Sequence, residues 1–177
     1  KEAGIRFVML RLGNRGTDLG GLYPDERLEQ YYADAKEDIV FIGVLKGCFV
    51  FMADLMRHVT VPCCMDFMAV SSYGSGTTSS GAVEITKDLR EDIGGKHVIF
   101  VEDILDSGVT LHYLKQYLQV REPASIRIAT LMDKPSRRKA DIHADYFAFE
   151  VPDAFVVGYG LDYDEKYRNL PYVGILK

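Results

Sequence analysis

The sequence contains no tryptophan and has 3 cysteines, Cys48, Cys63 and Cys64, among its 177 residues. The cysteines form no Cys-x-x-Cys pair and no cluster with histidine, which argues against a disulfide framework and a structural zinc site. Free thiols in a reducing compartment fit this usage best, so we expect a cytoplasmic protein.

Long apolar runs and a basic excess are also missing. No stretch reaches the roughly 18 apolar residues of a membrane span, and no signal peptide is visible in the sequence, which begins at Lys1. The formal net charge of −5 argues against general nucleic-acid binding, which needs a basic surface. We therefore expect neither membrane nor nucleic acid among the partners.

Apolar residues make up 47% of the chain, which at this length suggests one domain with a sizeable core. Short β-rich apolar runs predict strands over 39–45, 63–70, 97–101, 126–132 and 155–158. Helical spacing predicts helices over 24–36, 48–59 and 110–118. This alternation predicts an α/β fold with a mostly parallel twisted sheet flanked by helices.

The stretch Val98–Thr110 changes character halfway. An apolar run leads directly into Glu102 and Asp103, Asp106 follows, and Ser107–Thr110 then opens a helix. Ligands of parallel sheets sit outside the carboxyl ends of the strands, and a phosphate binds well where a loop runs into a helix N-terminus. Alone, an Asp-Ser-Gly sequence is also typical of a simple helix cap, but clustered acids beside it favour a ligand site.

Carboxylates beside a phosphate repel it unless a hydroxylic or cationic group lies between them. A sugar diol with Mg²⁺ satisfies this condition, since Glu102 and Asp103 can accept hydrogen bonds from ribose hydroxyls or hold the ion through water. Asp106 lies on the loop and can act as a general base. The pattern therefore indicates a phosphorylated ribose with a metal ion.

This stretch resembles the phosphoribosyl-pyrophosphate motif of the type I phosphoribosyltransferases, while the motifs G-x-G-x-x-G and G-x-x-x-x-G-K-[ST] are absent. The resemblance implies one domain over 1–177, with a core over about 39–150, a small hood from about 1–38 and 151–177, and a lid loop over about 71–82. It also implies that the ribose and its 5′-phosphate are bound by Glu102, Asp103, Asp106, Ser107, Gly108, Val109 and Thr110.

The segment Gly43–Cys48 resembles the pyrophosphate loop of the 6-oxopurine phosphoribosyltransferases. Carried over, the resemblance implies a cis peptide bond between Leu45 and Lys46. It implies pyrophosphate contacts from Leu45, Lys46 and Gly47, and from Arg168 in a Tyr-Arg-Asn-Leu segment near the end of the chain. Guanidinium is well suited to a bidentate phosphate contact.

Two further segments resemble the purine pocket of that family. Lys134 follows a predicted strand and would donate to the purine O6, although a lone lysine there is usually solvated. Phe155 would stack on the base and the Val156 backbone would read its edge, although by residue type Phe155 also fits a core. Asp162 would border the base and hold a second Mg²⁺ through water, so the implied metal residues are Glu102, Asp103 and Asp162.

The stretch 71–81 is rich in Ser, Thr and Gly and cannot bury much apolar area. Composition alone leaves a surface linker and a lid as alternatives. Ser72 and Tyr73 match the Ser-Tyr pair of the family's catalytic loop, which favours the lid. Its closure would exclude water from a cationic sugar-like transition state.

Taken together, the resemblance implies a purine salvage enzyme that joins phosphoribosyl pyrophosphate to hypoxanthine or guanine with Mg²⁺, giving IMP or GMP and pyrophosphate. Xanthine use stays open, and a homodimer or homotetramer is expected. Enzymatic rivals are a phosphoribosyltransferase for another base and a pyrophosphokinase of the same fold. The rival from another class is a non-catalytic regulator of this fold that binds nucleotides and nucleic acid.

Overall fold

The computed structural model describes residues 38–59, 61–72 and 83–176. The predicted helix over 24–36, the N-terminal part of the predicted hood and most of the predicted lid loop, including Tyr73, lie outside the described residues. No helix in the described ranges is long and apolar enough to cross a lipid bilayer.

A six-stranded sheet forms the centre of the described chain. Its strands are β1 Ile39–Leu45, β2 Cys64–Ser72, β3 Val83–Lys87, β4 His97–Leu105, β5 Ser125–Asp133 and β6 Tyr146–Glu150. The spatial order is β3-β2-β1-β4-β5-β6, and every neighbouring pair is parallel except β2 with β3. The prediction of a mostly parallel sheet is confirmed, whereas its edge strands β3 and β6 were not predicted.

Two helices cover opposite faces of this sheet: α1 Phe49–Met56 and α2 Val109–Gln119. Phe41 of β1 shares a buried cluster with Phe51 of α1, and its neighbour Ile42 shares the other cluster with Leu114 of α2. Because both faces of β1 are covered, its sequence is a continuous apolar run rather than an alternating one.

A second, two-stranded antiparallel sheet pairs β7 Val156–Val157 with β8 Gly174–Ile175. The predicted strand over 155–158 is therefore wrong as an addition to the main sheet. It is cut to two residues because the chain turns directly afterwards, with positive φ at Gly158, Tyr159 and Gly160. Val156 joins the buried cluster on the α1 side, so this small sheet packs over that face.

Candidate active site

Glu102 and Asp103 lie inside β4 rather than after it. The predicted strand end at Val101 is too early, because the strand continues to Leu105. β5 runs alongside and extends the pairing, with Glu102 opposite Thr130 and Ile104 opposite Met132. The two acids still fall in the last half of the strand, near its carboxyl end.

The loop after β1 touches these acids. The peptide bond between Leu45 and Lys46 is cis, as the resemblance implied. A Cβ added at Gly47 would overlap the carboxylate of Asp103, so a larger residue here would displace that carboxylate. Since β1 and β4 are neighbours in the sheet, their carboxyl ends bring the predicted pyrophosphate loop and the predicted ribose acids together.

The environment of the two acids opposes their ionisation. Burial raises the pKa of Glu102 well above its usual range, and the adjacent charge of Asp103 adds to the effect. Burial also raises the pKa of Asp103 to about 6, although the N–H of Ile104, which donates to its Oδ1 at 2.7 Å, and the charge of Arg168 act against this rise. A cation or several hydroxyl donors would relieve this unfavourable pair.

The loop Asp106–Thr110 connects β4 to α2. Gly108 has a φ of 77°, and a Cβ there would overlap the side chain of Ile142, so glycine is required. The carbonyl of Ser107 accepts a hydrogen bond from the N–H of Ala140 at 3.2 Å, which ties the loop to the chain beyond β5.

A cavity of about 310 Å³ lies between this loop, the acids of β4 and the loop after β1. The predicted residues that line it are Leu45, Gly47, Glu102, Asp103, Asp106, Ser107, Gly108, Thr110, Asp162 and Arg168. Lys46 and Val109 are exposed and do not line it. Ser72 is the last residue of β2.

A second cavity, of about 240 Å³, adjoins the first. Its lining contains all four predicted purine-side residues, Lys134, Phe155, Val156 and Asp162. The residues shared by both cavities are Asp103, Ile104, Asp106 and Asp162. The structure therefore brings the predicted sugar-phosphate and purine residues into two adjacent cavities with a shared wall.

The two predicted purine contacts Lys134 and Phe155 differ in their exposure to solvent. Lys134 is 4% exposed, and its ammonium group donates to the carbonyl of Ala154 at 2.8 Å, which leaves it further hydrogens to donate. Phe155 is 54% exposed and meets Tyr163 edge to face, with ring centroids 5.8 Å apart. An accessible aromatic face beside a buried cation suits a flat, polar-edged ligand.

The predicted pyrophosphate cations share acidic partners. Arg168 pairs with Asp162 at 2.8 Å and donates to the carbonyl of Gly160 at 2.8 Å. Glu165 lies 3.7 Å from Arg168 and 2.8 Å from the Nζ of Lys46. One exposed carboxylate thus links both cations.

The three predicted metal residues do not converge on one point. Among the described residues, no group of three or more His, Cys, Asp or Glu side chains is arranged to hold a metal ion. Asp162 is engaged by Arg168, while Glu102 and Asp103 stand side by side in β4. An ion here would need water or ligand oxygens to complete its shell, which is usual for Mg²⁺.

Two arginines that the sequence analysis missed lie against Asp106. Arg138 donates to the carbonyls of Leu105 at 3.1 Å and Asp106 at 2.9 Å. Arg137 ends a 3-10 turn, and its Nε lies 3.6 Å from Oδ1 of Asp106. The available signal was a basic pair after Lys-Pro-Ser, which alone is more typical of a solvated loop.

Comparison with known proteins supports the resemblance to the phosphoribosyltransferases. The family described as "Phosphoribosyl transferase domain" matches residues 25–164, more than half of the chain. The chain belongs to the phosphoribosyltransferase family. Its relatives include the hypoxanthine-guanine phosphoribosyltransferase of Bacillus subtilis (strain 168), which is 61% identical over 136 residues, covering 77% of this chain and 76% of that protein.

Two further relatives carry closely similar names. The hypoxanthine phosphoribosyltransferase of Salmonella typhimurium is 53% identical over 148 residues, covering 84% of this chain and 83% of that one. A crystal structure of a hypoxanthine phosphoribosyltransferase from Staphylococcus aureus is similar with a TM-score of 0.83 at 44% identity, covering 97% of this chain and 91% of that chain.

These relatives confirm the type I phosphoribosyltransferase fold and identify the chain as a transferase. The alternative of a non-catalytic regulator finds no support among them, because the named relatives are enzymes. This phosphoribosyltransferase therefore carries its candidate active site at the carboxyl ends of β1, β4 and β5.

Proposed function

We propose that this phosphoribosyltransferase transfers the 5-phosphoribosyl group from phosphoribosyl pyrophosphate to N9 of hypoxanthine and/or guanine. The products are IMP or GMP and pyrophosphate. The observation that carries the proposal is that the two cavities are adjacent and share the lining residues Asp103, Ile104, Asp106 and Asp162. The first cavity has an anion-binding loop for a phosphate and two acids for a sugar. The second cavity has a buried lysine and an aromatic ring for a base. The groups therefore follow the order of phosphate, sugar and base in a nucleotide.

In this proposal the sugar-phosphate is bound by β4 and the loop after it. Ser107–Thr110 contact the 5′-phosphate at the start of α2, where unpaired backbone N–H groups and the helix dipole favour an anion. Glu102 and Asp103 accept hydrogen bonds from the ribose hydroxyls. Those hydrogen bonds would offset the burial that raises the pKa values of both acids.

On the purine side, Lys134 donates to O6, Phe155 stacks on the ring and the Val156 backbone contacts its edge. A donor at this position disfavours adenine, whose 6-amino group is itself a donor. The three residues line one cavity, which supports their common role.

The reaction breaks the bond between C1′ and the pyrophosphate oxygen and forms the bond between C1′ and purine N9. The loop Leu45–Gly47 and Arg168 hold the departing pyrophosphate, Ser72 and Tyr73 of the lid exclude water, and Asp106 accepts or shares the N7 proton. Catalysis then consists mostly of positioning and of electrostatic stabilisation of a ribosyl centre with oxocarbenium character.

Mg²⁺ fits the donors present, because Glu102 and Asp103 offer hard oxygen ligands whose raised pKa values a cation would relieve. Asp162 would hold a second ion through water. When bound, the metal neutralises charge on the pyrophosphate leaving group.

The test is the absorbance change on mixing hypoxanthine, guanine or xanthine with phosphoribosyl pyrophosphate and Mg²⁺. We expect turnover of hypoxanthine, guanine or both, and no turnover of adenine. Absence of turnover with all three 6-oxopurines would remove the proposal. The division into core and hood, a cytoplasmic location and a homodimer or homotetramer stay predictions.

A further inference from the structure

Asp106 lines both cavities, and its main chain is held by a hydrogen bond whereas one of its carboxylate oxygens is not. Its main chain is fixed, because Arg138 donates to its carbonyl at 2.9 Å. Its side-chain Oδ1 is enclosed, yet it accepts no hydrogen bond from the described residues. A buried carboxylate oxygen without a donor has no hydrogen bond to define its orientation.

Arg137 is the cation that pairs with this oxygen. Its Nε lies 3.6 Å from Oδ1 of Asp106, and its Nη1 lies 3.2 Å from Oδ1 of Asp153. Asp153 belongs to the segment that precedes Phe155. A planar guanidinium that engages carboxylates with two different nitrogens has a restricted orientation, which an ammonium group in the same place would lack.

We propose that Arg137 is a positioning residue for Asp106. It holds Oδ1 and so presents the other carboxylate oxygen to the purine. The inference rests on the proposed function, since the purine is the group that Asp106 would meet. The 3-10 turn Pro135–Arg137 follows Lys134 directly, so one short segment places the predicted O6 donor and orients the predicted N7 acceptor.

The size of the effect follows from exposure. The side chains of Arg137 and Asp106 are 53% and 43% exposed, so solvent weakens their attraction. For Arg137→Gln we expect kcat/KM for hypoxanthine to fall about three- to tenfold, with KM for phosphoribosyl pyrophosphate within about twofold of the parent. Arg137→Lys keeps the charge without the fork and should recover part of the loss. Asp153→Asn should lower kcat/KM in the same direction but less.

Two controls separate positioning from general effects. Lys139 is exposed and lies two residues after Arg137. Lys139→Gln removes one positive charge, as Arg137→Gln does, and should leave kcat/KM within about twofold of the parent value. Thermal unfolding of all variants, followed by circular dichroism, should agree with the parent within about 3 °C, because every substituted side chain lies at the surface or half exposed.

The deciding measurement is a double-mutant cycle with Asp106→Asn. If Arg137 acts through Asp106, Arg137→Gln should cost less than about twofold in the Asp106→Asn background. An equal loss in both backgrounds, or no loss in the parent background, overturns the inference while leaving the proposed function in place. Absence of purine turnover by the parent enzyme is a different result and overturns both.

Discussion

At the scale of single residues, the proposed ribose contacts Glu102 and Asp103 lower the stability of the fold. Burial raises the pKa of both acids in β4, and the charge of Asp103 further raises the pKa of Glu102. On one side the neighbouring loop packs against them, since Gly47 lies close to the carboxylate of Asp103 and Cys48 is fully buried. A fold without a ligand to bind would gain by replacing such a pair.

The first prediction follows from the pKa of Asp103, which is raised from 3.8 to about 6. A raised acid pKa means that the folded state loses stability as the pH rises from about 4 to 6, because the unfolded chain ionises first. Asp103→Asn removes this loss. We expect its free energy of unfolding to match the parent near pH 4 and to exceed it by about 1–2 kcal/mol above pH 6, after allowance for partial solvation.

The measurement is urea unfolding between pH 4 and 8 without Mg²⁺. Asp141→Asn, whose parent side chain is 99% exposed, serves as the control and should show no such trend. If Asp103→Asn is less stable than the parent at pH 8, the carboxylate contributes hydrogen bonds that outweigh its burial.

The second prediction concerns Asp106 as the general base. Asparagine keeps the shape of Asp106 but cannot accept a proton, so Asp106→Asn should lower the forward kcat by more than about threefold. The assay is initial-rate formation of IMP at saturating substrates. Asp92→Asn is a matched change before the N-terminal end of β4, opposite to the candidate active site, and should have no effect. A kcat within threefold of the parent rejects general-base catalysis by Asp106.

At the scale of elements, prediction from sequence succeeded where the apolar pattern is continuous. β1, β4 and β5 are buried central strands and read as apolar runs, and α1 and α2 show helical spacing. β3 was missed because it is half exposed and residues such as Glu84 and Lys87 carry little apolar signal, whereas β6 is an apolar run of only 5 residues that was not recognised as a strand. The β4 end was placed too early since acids were taken as strand terminators.

The C-terminal segment offers the third prediction. Glu165 bridges Lys46 and Arg168, the two cations predicted to contact pyrophosphate, and these partners lower the pKa of Glu165. A carboxylate in that place competes with a pyrophosphate oxygen. For Glu165→Gln we expect KM for pyrophosphate, measured in the reverse reaction, to fall about two- to threefold at low ionic strength and to approach the parent value in high salt.

Glu122→Gln is a matched control for this prediction. Glu122 is exposed and follows the C-terminal end of α2, whereas the candidate active site lies at the N-terminal end of that helix. It should leave KM for pyrophosphate unchanged. A higher KM in Glu165→Gln would mean that Glu165 orders the two cations rather than competing for them.

At the scale of the whole molecule, the candidate active site is assembled from segments far apart in sequence. The resemblance to the family implied that Asp106, Lys134 and Phe155 belong to one site, because each lies in a segment that matches a family segment in the expected order. The motifs did not predict which charged side chains pair with those residues. Arg137 and Glu165 form ion pairs with residues of other loops, and local sequence has no pattern for an ion pair between separate segments.

The last prediction uses the adjacency of the two cavities. In the proposed function IMP would occupy both cavities, so it should stabilise the fold more than hypoxanthine and ribose 5-phosphate added together at the same concentrations, because one molecule loses its translational and rotational freedom only once. At a hundredfold excess over Kd, the gain is about 2.7 kcal/mol, or a rise in Tm of about 5–10 °C for a chain of this size. AMP, which presents an amino group to Lys134, should raise Tm much less. Equal shifts for IMP and for the separate pieces would mean that the two cavities do not accommodate one nucleotide.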